Sequence, residues 1–98
     1  MEPEPLSELL GRLLRRLGAG DLDTWRVIEA EWASIAGPPW DRHGRPLSLH
    51  DGILVVEAAA PSVIGVLRYG VAGLRARLEE RVGAGAVTEV RVRPPPRR

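Results

Sequence analysis

The sequence predicts an α+β fold in which a small three-stranded sheet carries helices on one face. Three observations predict it. Apolar residues recur at steps of three and four in three separate segments. "PLSLHDGILVVEA" alternates on both sides of an Asp-Gly pair, and "VTEVRVR" alternates again near the C-terminus. The predicted order is helix, helix, strand, strand, long helix, strand.

Residues 1–5 read as a flexible lead-in, 6–93 as a single domain and 94–98 as a Pro/Arg-rich tail. In the first helix Leu6, Leu9, Leu10, Leu13, Leu14 and Leu17 form one stripe, Ser7 is the N-cap, and Gly18-Ala19-Gly20 ends it. A second helix starts at Asp21 or Asp23 and buries Leu22, Trp25, Ile28, Trp32 and Ile35. Gly37 caps its end, and Pro38-Pro39 forbid continuation. Asp51-Gly52 is a type I′ turn signature, which opposes His50 to Ile53, Leu49 to Leu54, Ser48 to Val55 and Leu47 to Val56. Cross-strand partners share a face. Leu47, Leu49, Leu54, Val56 and Ala58 are therefore the core side, while Ser48, His50, Ile53, Val55 and Glu57 make a mixed, partly open side. Pro61-Ser62 opens a long helix with Val63, Leu67, Val71, Leu74, Leu78 and Val82 inward, and "GAGAV" ends it. The last strand points Thr88, Val90 and Val92 inward and Glu89, Arg91 and Arg93 outward. Joined to the hairpin, it completes a three-stranded meander.

Composition removes whole classes of chemistry. The 98 residues suffice for one modest core. No Cys is present, so disulfides, thiolate zinc sites, iron–sulfur clusters and Cys nucleophiles are excluded. The acidic start "MEPEPLSELL" is unlike a signal peptide, and no apolar run has the length of a membrane span, which reads as a soluble cytoplasmic protein with no membrane partner. Charge is nearly balanced, 14 basic against 13 acidic, yet every basic residue is Arg, and four (Arg91, Arg93, Arg97, Arg98) fall in the last eight positions. Composition bias explains this most simply, but the planar Arg fork also suits phosphates and carboxylates.

Both histidines lie in "WDRHGRPLSLHDG". His43 is in a Gly/Pro-rich connector and His50 on a strand, without metal-ligand spacing or a nucleophile beside either. Asp51 serves the turn, and Asp41 can cap a loop. The cluster reads as a structured connection with no catalytic, metal or cofactor residues, so no enzyme activity is expected. "YGVAGL" supplies a G-x-x-G, Gly70 to Gly73, where type II KH order places its nucleic-acid clamp. Two features oppose a clamp: the stripe runs in phase through Val71 to Leu74, predicting one unbroken helix, and Val71 and Ala72 are apolar. Candidate phosphate contacts are Arg12, Arg15, Arg16, Arg68, Arg75, Arg91, Arg93, Arg97 and Arg98; Arg77 and Arg81 share the long helix with Arg68 and Arg75, and the bland reading of these helical arginines is a solvated face partly balanced by Glu79 and Glu80. No aromatic falls on a strand, which argues against base stacking on the sheet. Trp25 and Trp32 read as core, and Trp40, after two prolines, as exposed.

Trp32, Gly37, His43, Pro46, Leu49, Gly52, Leu54 and Val56, followed by a helix carrying Leu67, resemble the pattern of the DciA family. The relevant stretches are "WASIAG", "HGRPLSLHDGILVVEA" and "VLRYG", and the likeness runs from about Leu6 to Val92. The chain departs from it at Val63, where the family often has Trp, and in having only "RPPPRR" where many members carry a polar extension. Functions seated in such an extension are therefore not expected here. The resemblance implies a KH-like domain that assists loading of the bacterial replicative helicase and contacts single-stranded or forked DNA. It also implies structural roles for Trp32, Gly37, His43, Pro46, Gly52 and Leu54, with His43 fixing the connector before the hairpin. The alternative is a protein-interaction module without nucleic-acid binding, presenting Trp40, Ile53 and Val55 or the Leu-rich first helix.

Overall fold

A computed structural model describes residues 9–10 and 19–96. Helix α1 spans Ala19–Ala30, α2 Trp32–Ala36 and α3 Trp40–His43; strands β1 (Gly44–His50) and β2 (Ile53–Ala58) follow. A 3-10 turn at Pro61–Val63 leads into α4 (Ile64–Tyr69) and α5 (Val71–Val82), and β3 is Glu89–Arg93. The fold is α+β, a three-stranded mixed sheet with several helices, and is compatible with a KH-like fold. Of the first predicted helix, Leu9 and Leu10 are helical and exposed, while Leu6, Ser7, Leu13, Leu14, Leu17 and Gly18 lie outside the described residues.

Ala19 and Gly20, expected to end that helix, open α1 instead. The second predicted helix bends at Glu31, whose backbone leaves helical geometry at φ −114° and ψ 19°. The hydrogen-bond ladder nevertheless runs on, from Glu31 N–H to Val27 C=O and from Ile35 N–H to Glu31 C=O, each at 2.9 Å. The bend lets Ile28, Trp32, Ile35 and Ala36 all enter the core. Leu22 does not enter it: at 54% exposed it corrects the expected burial. Its neighbour Asp21 takes the inward position, where the carboxylate accepts the Asp51 N–H at 2.7 Å and ties α1 to the hairpin turn. Gly37 ends α2 at φ 63°, as its sequence position predicts.

The hairpin turn has positive φ at both Asp51 (52°) and Gly52 (79°), which a type I′ turn requires. The predicted pairs His50–Ile53, Leu49–Leu54 and Ser48–Val55 form, but Val56 faces Pro46 rather than Leu47. Leu47 is the extra residue of a β-bulge, so it leaves the core side and is only partly buried. Pro46 has no N–H to give the ladder, and bulges are where a strand accommodates such a residue.

The meander is corrected too. The sheet order is β1-β2-β3, with β2 antiparallel to β1 but parallel to β3. Helices α4 and α5 form the crossover that a parallel pair requires. Val90 is buried and Val92 half-buried, with Glu89, Arg91 and Arg93 outward, as the alternation predicts. Thr88 is not inward; it precedes the strand, and its hydroxyl donates to the Gly52 C=O at 3.3 Å.

The long helix is broken at Gly70, correcting the unbroken one expected. Gly70 N–H is shared between the Val66 and Leu67 carbonyls at 3.3 and 3.0 Å, and Leu74 N–H donates to Gly70 C=O at 3.0 Å. The interruption is one residue long, so Val71 to Gly73 are helical and no G-x-x-G loop is formed. Leu67, Leu74 and Leu78 are fully buried from both sides of the break. They cover Leu54, Val56, Ala58 and Val90 on one face of the sheet, with Ile28, Trp32, Ile35 and Trp40 completing the core.

Candidate nucleic-acid and partner surface

Trp40 is the residue around which the site is built. Expected to be exposed, it is 1% accessible and the largest fully buried side chain. The two prolines before it start the single turn of α3, which swings the indole under the helices. Trp32 meets it edge-on, with ring centroids 6.3 Å apart and planes at 85°. The Trp32 indole N–H donates to both the Trp40 and Gly44 carbonyl oxygens, at 3.2 and 3.0 Å. The Trp40 ring in turn lies against two glycines. A Cβ at Gly44 would sit 3.3 Å from Trp40 Cε3, and one at Gly70 would sit 3.3 Å from Trp40 Nε1. One buried ring thus brings the α4–α5 junction next to the start of β1.

Leu54 is fully buried, and Pro46 stands at the bulge. Gly52 accepts from the Thr88 and Glu89 N–H groups through its carbonyl, and a Cβ there would come within 2.8 Å of Thr88 Oγ1. His43 acts through its backbone, donating to Pro39 C=O at 3.0 Å and accepting from Ala59 N–H at 2.9 Å, while its side chain is exposed. His43 precedes β1 and His50 ends it, so the seven-residue strand holds them apart. Among the described residues, no three His, Asp or Glu side chains gather as metal ligands would.

The face of the sheet away from the helices has three rungs. His50, Ile53 and Glu89 form the first; Ser48, Val55 and Arg91 the second; Arg45, Glu57 and Arg93 the third. Ile53 and Val55 are half-buried in its centre. Arg45 bridges to Glu57 at 3.0 Å, and Arg91 to Glu89. At the turn end stand Asp51 and Glu89, the latter paired with Arg91, with buried Asp21 bonded to the Asp51 N–H. At the other end stand Arg45 and Arg93, with Arg42 and His43 of α3 just before β1.

The arginines of α4 and α5 divide into two pairs. Arg68 and Arg75 are exposed. Arg77 donates to the Ala36 carbonyl at the end of α2, and Arg81 forks onto Glu31 at 2.9 and 2.6 Å. The hydrogen bonds from Arg81 hold the Glu31 carboxyl below its ordinary value, and those to Glu31 hold Arg81 above its own. Arg81 thus fastens α5 to the α1–α2 bend, and Arg77 fastens it to the end of α2. Arg12, Arg15, Arg16, Arg97 and Arg98 lie outside the described residues.

Sequence reasoning missed Tyr69, which is 94% exposed beside Gly70. The signal was present: Tyr69 lies two residues beyond buried Leu67, about 200° around the helix from the apolar stripe.

The family model described as "Dna[CI] antecedent, DciA" matches residues 5–92. Curated relatives include a "UPF0232 protein" of Mycolicibacterium paratuberculosis, 30% identical over 94 residues, covering 96% of this chain and 52% of the relative. Another, from Mycobacterium leprae, is 30% identical over 95 residues, covering 96% of this chain and 50% of the relative. A third, from Mycobacterium tuberculosis, is 27% identical over 94 residues, with the same coverage of 96% and 50%. The chain therefore spans about half the length of the curated relatives it matches.

Proposed function

We propose, from the premise that this chain belongs to the DciA family, that it is a non-enzymatic cytoplasmic accessory of the bacterial replicative helicase. It assists loading of the helicase and contacts single-stranded or forked DNA while doing so. The observation that carries this reading is the family match across residues 5–92. Exposed Arg68, Arg75, Arg91 and Arg93 are available to phosphates, joined in sequence by Arg12, Arg15, Arg16, Arg97 and Arg98. The test is the rate at which the purified helicase of the same organism assembles on a forked DNA. Addition of this chain should accelerate assembly; an unchanged rate contradicts the reading.

A second reading, a protein-interaction module without DNA contact, draws on Ile53 and Val55. These aliphatic side chains occupy the middle strand of a sheet face that no described helix covers. A partner held there binds with weak salt dependence, whereas phosphate contacts on single strands lose affinity with a slope of about −0.7 per contact.

A further inference from the structure

We propose that the end of the domain where α3, the start of β1, the end of β3 and the α4–α5 junction meet is a binding site for single-stranded nucleic acid. Tyr69 is its base-stacking ring, and Arg42, Arg45, Arg68 and Arg93 hold its phosphates. The inference rests on the reading that this chain contacts single strands, and it names where.

Geometry brings the parts together. The buried Trp40 indole touches Gly70 at one edge and Gly44 at the other. Arg68 and Tyr69 immediately precede the first glycine; Arg42, His43 and Arg45 flank the second. Arg93 reaches the same end through its rung, Arg45–Glu57–Arg93. All six of the side chains so assembled, His43 included, are exposed.

The chemistry selects the ligand. Tyr69 at 94% exposure does no work for the fold, and a bare aromatic ring standing in water is a stacking surface for any base. Arg68 adjoins it in sequence, Arg42 and Arg45 flank Gly44 across the same Trp40 ring, and Arg93 shares the rung on which Arg45 already bridges Glu57. That bridge leaves the Arg45 side chain 70% exposed, and an exposed ion pair of this kind is readily exchanged for a phosphate. At the far end Asp51 stands exposed, while Asp21 is buried against the Asp51 N–H and Glu89 is paired with Arg91; the excess of cations lies at the end with Arg42, Arg45, Arg68 and Arg93 and draws a polyanion there. A paired duplex hides its base faces, whereas a single strand offers both the faces and the phosphates.

The test titrates the full chain against fluorescent oligo(dT) at two ionic strengths. Tyr69→Ala should weaken binding about tenfold at both, with the salt slope unchanged, and Tyr69→Phe should restore it. The pair Arg42→Ala and Arg68→Ala should reduce the slope by roughly 1.4, at about 0.7 per lost contact. Asp51→Asn, in the hairpin turn at the opposite end of the sheet, should leave affinity and slope within twofold of the parent. The near-ultraviolet signal of the Trp32–Trp40 pair reports that each variant is folded. Wild-type affinity in folded Tyr69→Ala overturns the site. If the parent chain holds the helicase but no oligonucleotide at low salt, this inference fails while the accessory reading stands. If Tyr69→Ala loses the helicase and keeps DNA, the surface is a protein-docking site and the inference is likewise overturned.

Discussion

Trp32 and Trp40 meet edge to face 6.3 Å apart, and the indole N–H of the first donates to the backbone carbonyl of the second at 3.2 Å. That contact joins the α1–α2 bend to the start of the hairpin, and through Gly70 to the helix junction. Trp40→Ala should cost about 3–5 kcal/mol, as removal of a buried Trp usually does. That is a large share of the roughly 5–15 kcal/mol available to a domain. Trp32→Phe should cost about 1–3 kcal/mol by leaving the Trp40 and Gly44 carbonyls without their donor. Urea unfolding checks both; a loss under 1 kcal/mol for Trp40→Ala contradicts this placement of the ring.

The two glycines of the G-x-x-G behave oppositely. Nothing lies within 4 Å of a Cβ at Gly73, which is helical, so Gly73→Ala should stabilise by about 0.5–1 kcal/mol. Oligonucleotide affinity should be unchanged, because no backbone clamp is formed there. A large loss of affinity in Gly73→Ala would show that a clamp operates after all.

Gly52 is under double constraint, at φ 79° and with Thr88 Oγ1 2.8 Å from the place of a Cβ. Gly52→Ala should destabilise by about 1–3 kcal/mol. Combining it with Thr88→Gly should recover the steric share and leave the backbone share. Thermal unfolding of both single variants and the double variant measures the split.

The Glu31–Arg81 fork gives stability a pH dependence. Arg81 lowers the Glu31 carboxyl in the folded state. The contribution is therefore present above the unfolded carboxyl value and is lost as pH falls through the lower folded one. Arg81→Gln should be less stable than the parent at pH 7, and the two should converge in acid. An undiminished difference at low pH contradicts the pairing.

Val55→Glu places a carboxylate on the middle strand of the open sheet face, beside Arg91 in register. The fold should survive with a change of about 1 kcal/mol or less. If a partner docks on Ile53 and Val55, its binding should be abolished, as read by co-elution with the helicase; unchanged binding removes that surface.

Local chemistry was what the sequence made legible. The Asp51-Gly52 turn, the Gly37 cap, the outward Arg91 and Arg93 and the inward Leu67, Leu74 and Leu78 follow from rules acting over a few residues. The corrections arise where tertiary contact decides. The alternation of "VTEVRVR" marks a strand without saying which way it runs, and the crossover helices make it parallel. The apolar stripe stays in phase across Gly70, because the break is a single residue, set against the Trp40 ring from thirty positions earlier. Prolines before Trp40 suggest a loop, yet the turn they start buries the ring. Two prolines before Trp40 point to an exposed ring, whereas the ring that stands exposed is Tyr69.

The most direct measurement is size-exclusion chromatography of this chain mixed with the purified replicative helicase of the same organism, at low and at high salt. Co-elution at both ionic strengths is the predicted result. Separate elution of the two proteins under both conditions would contradict the helicase accessory role.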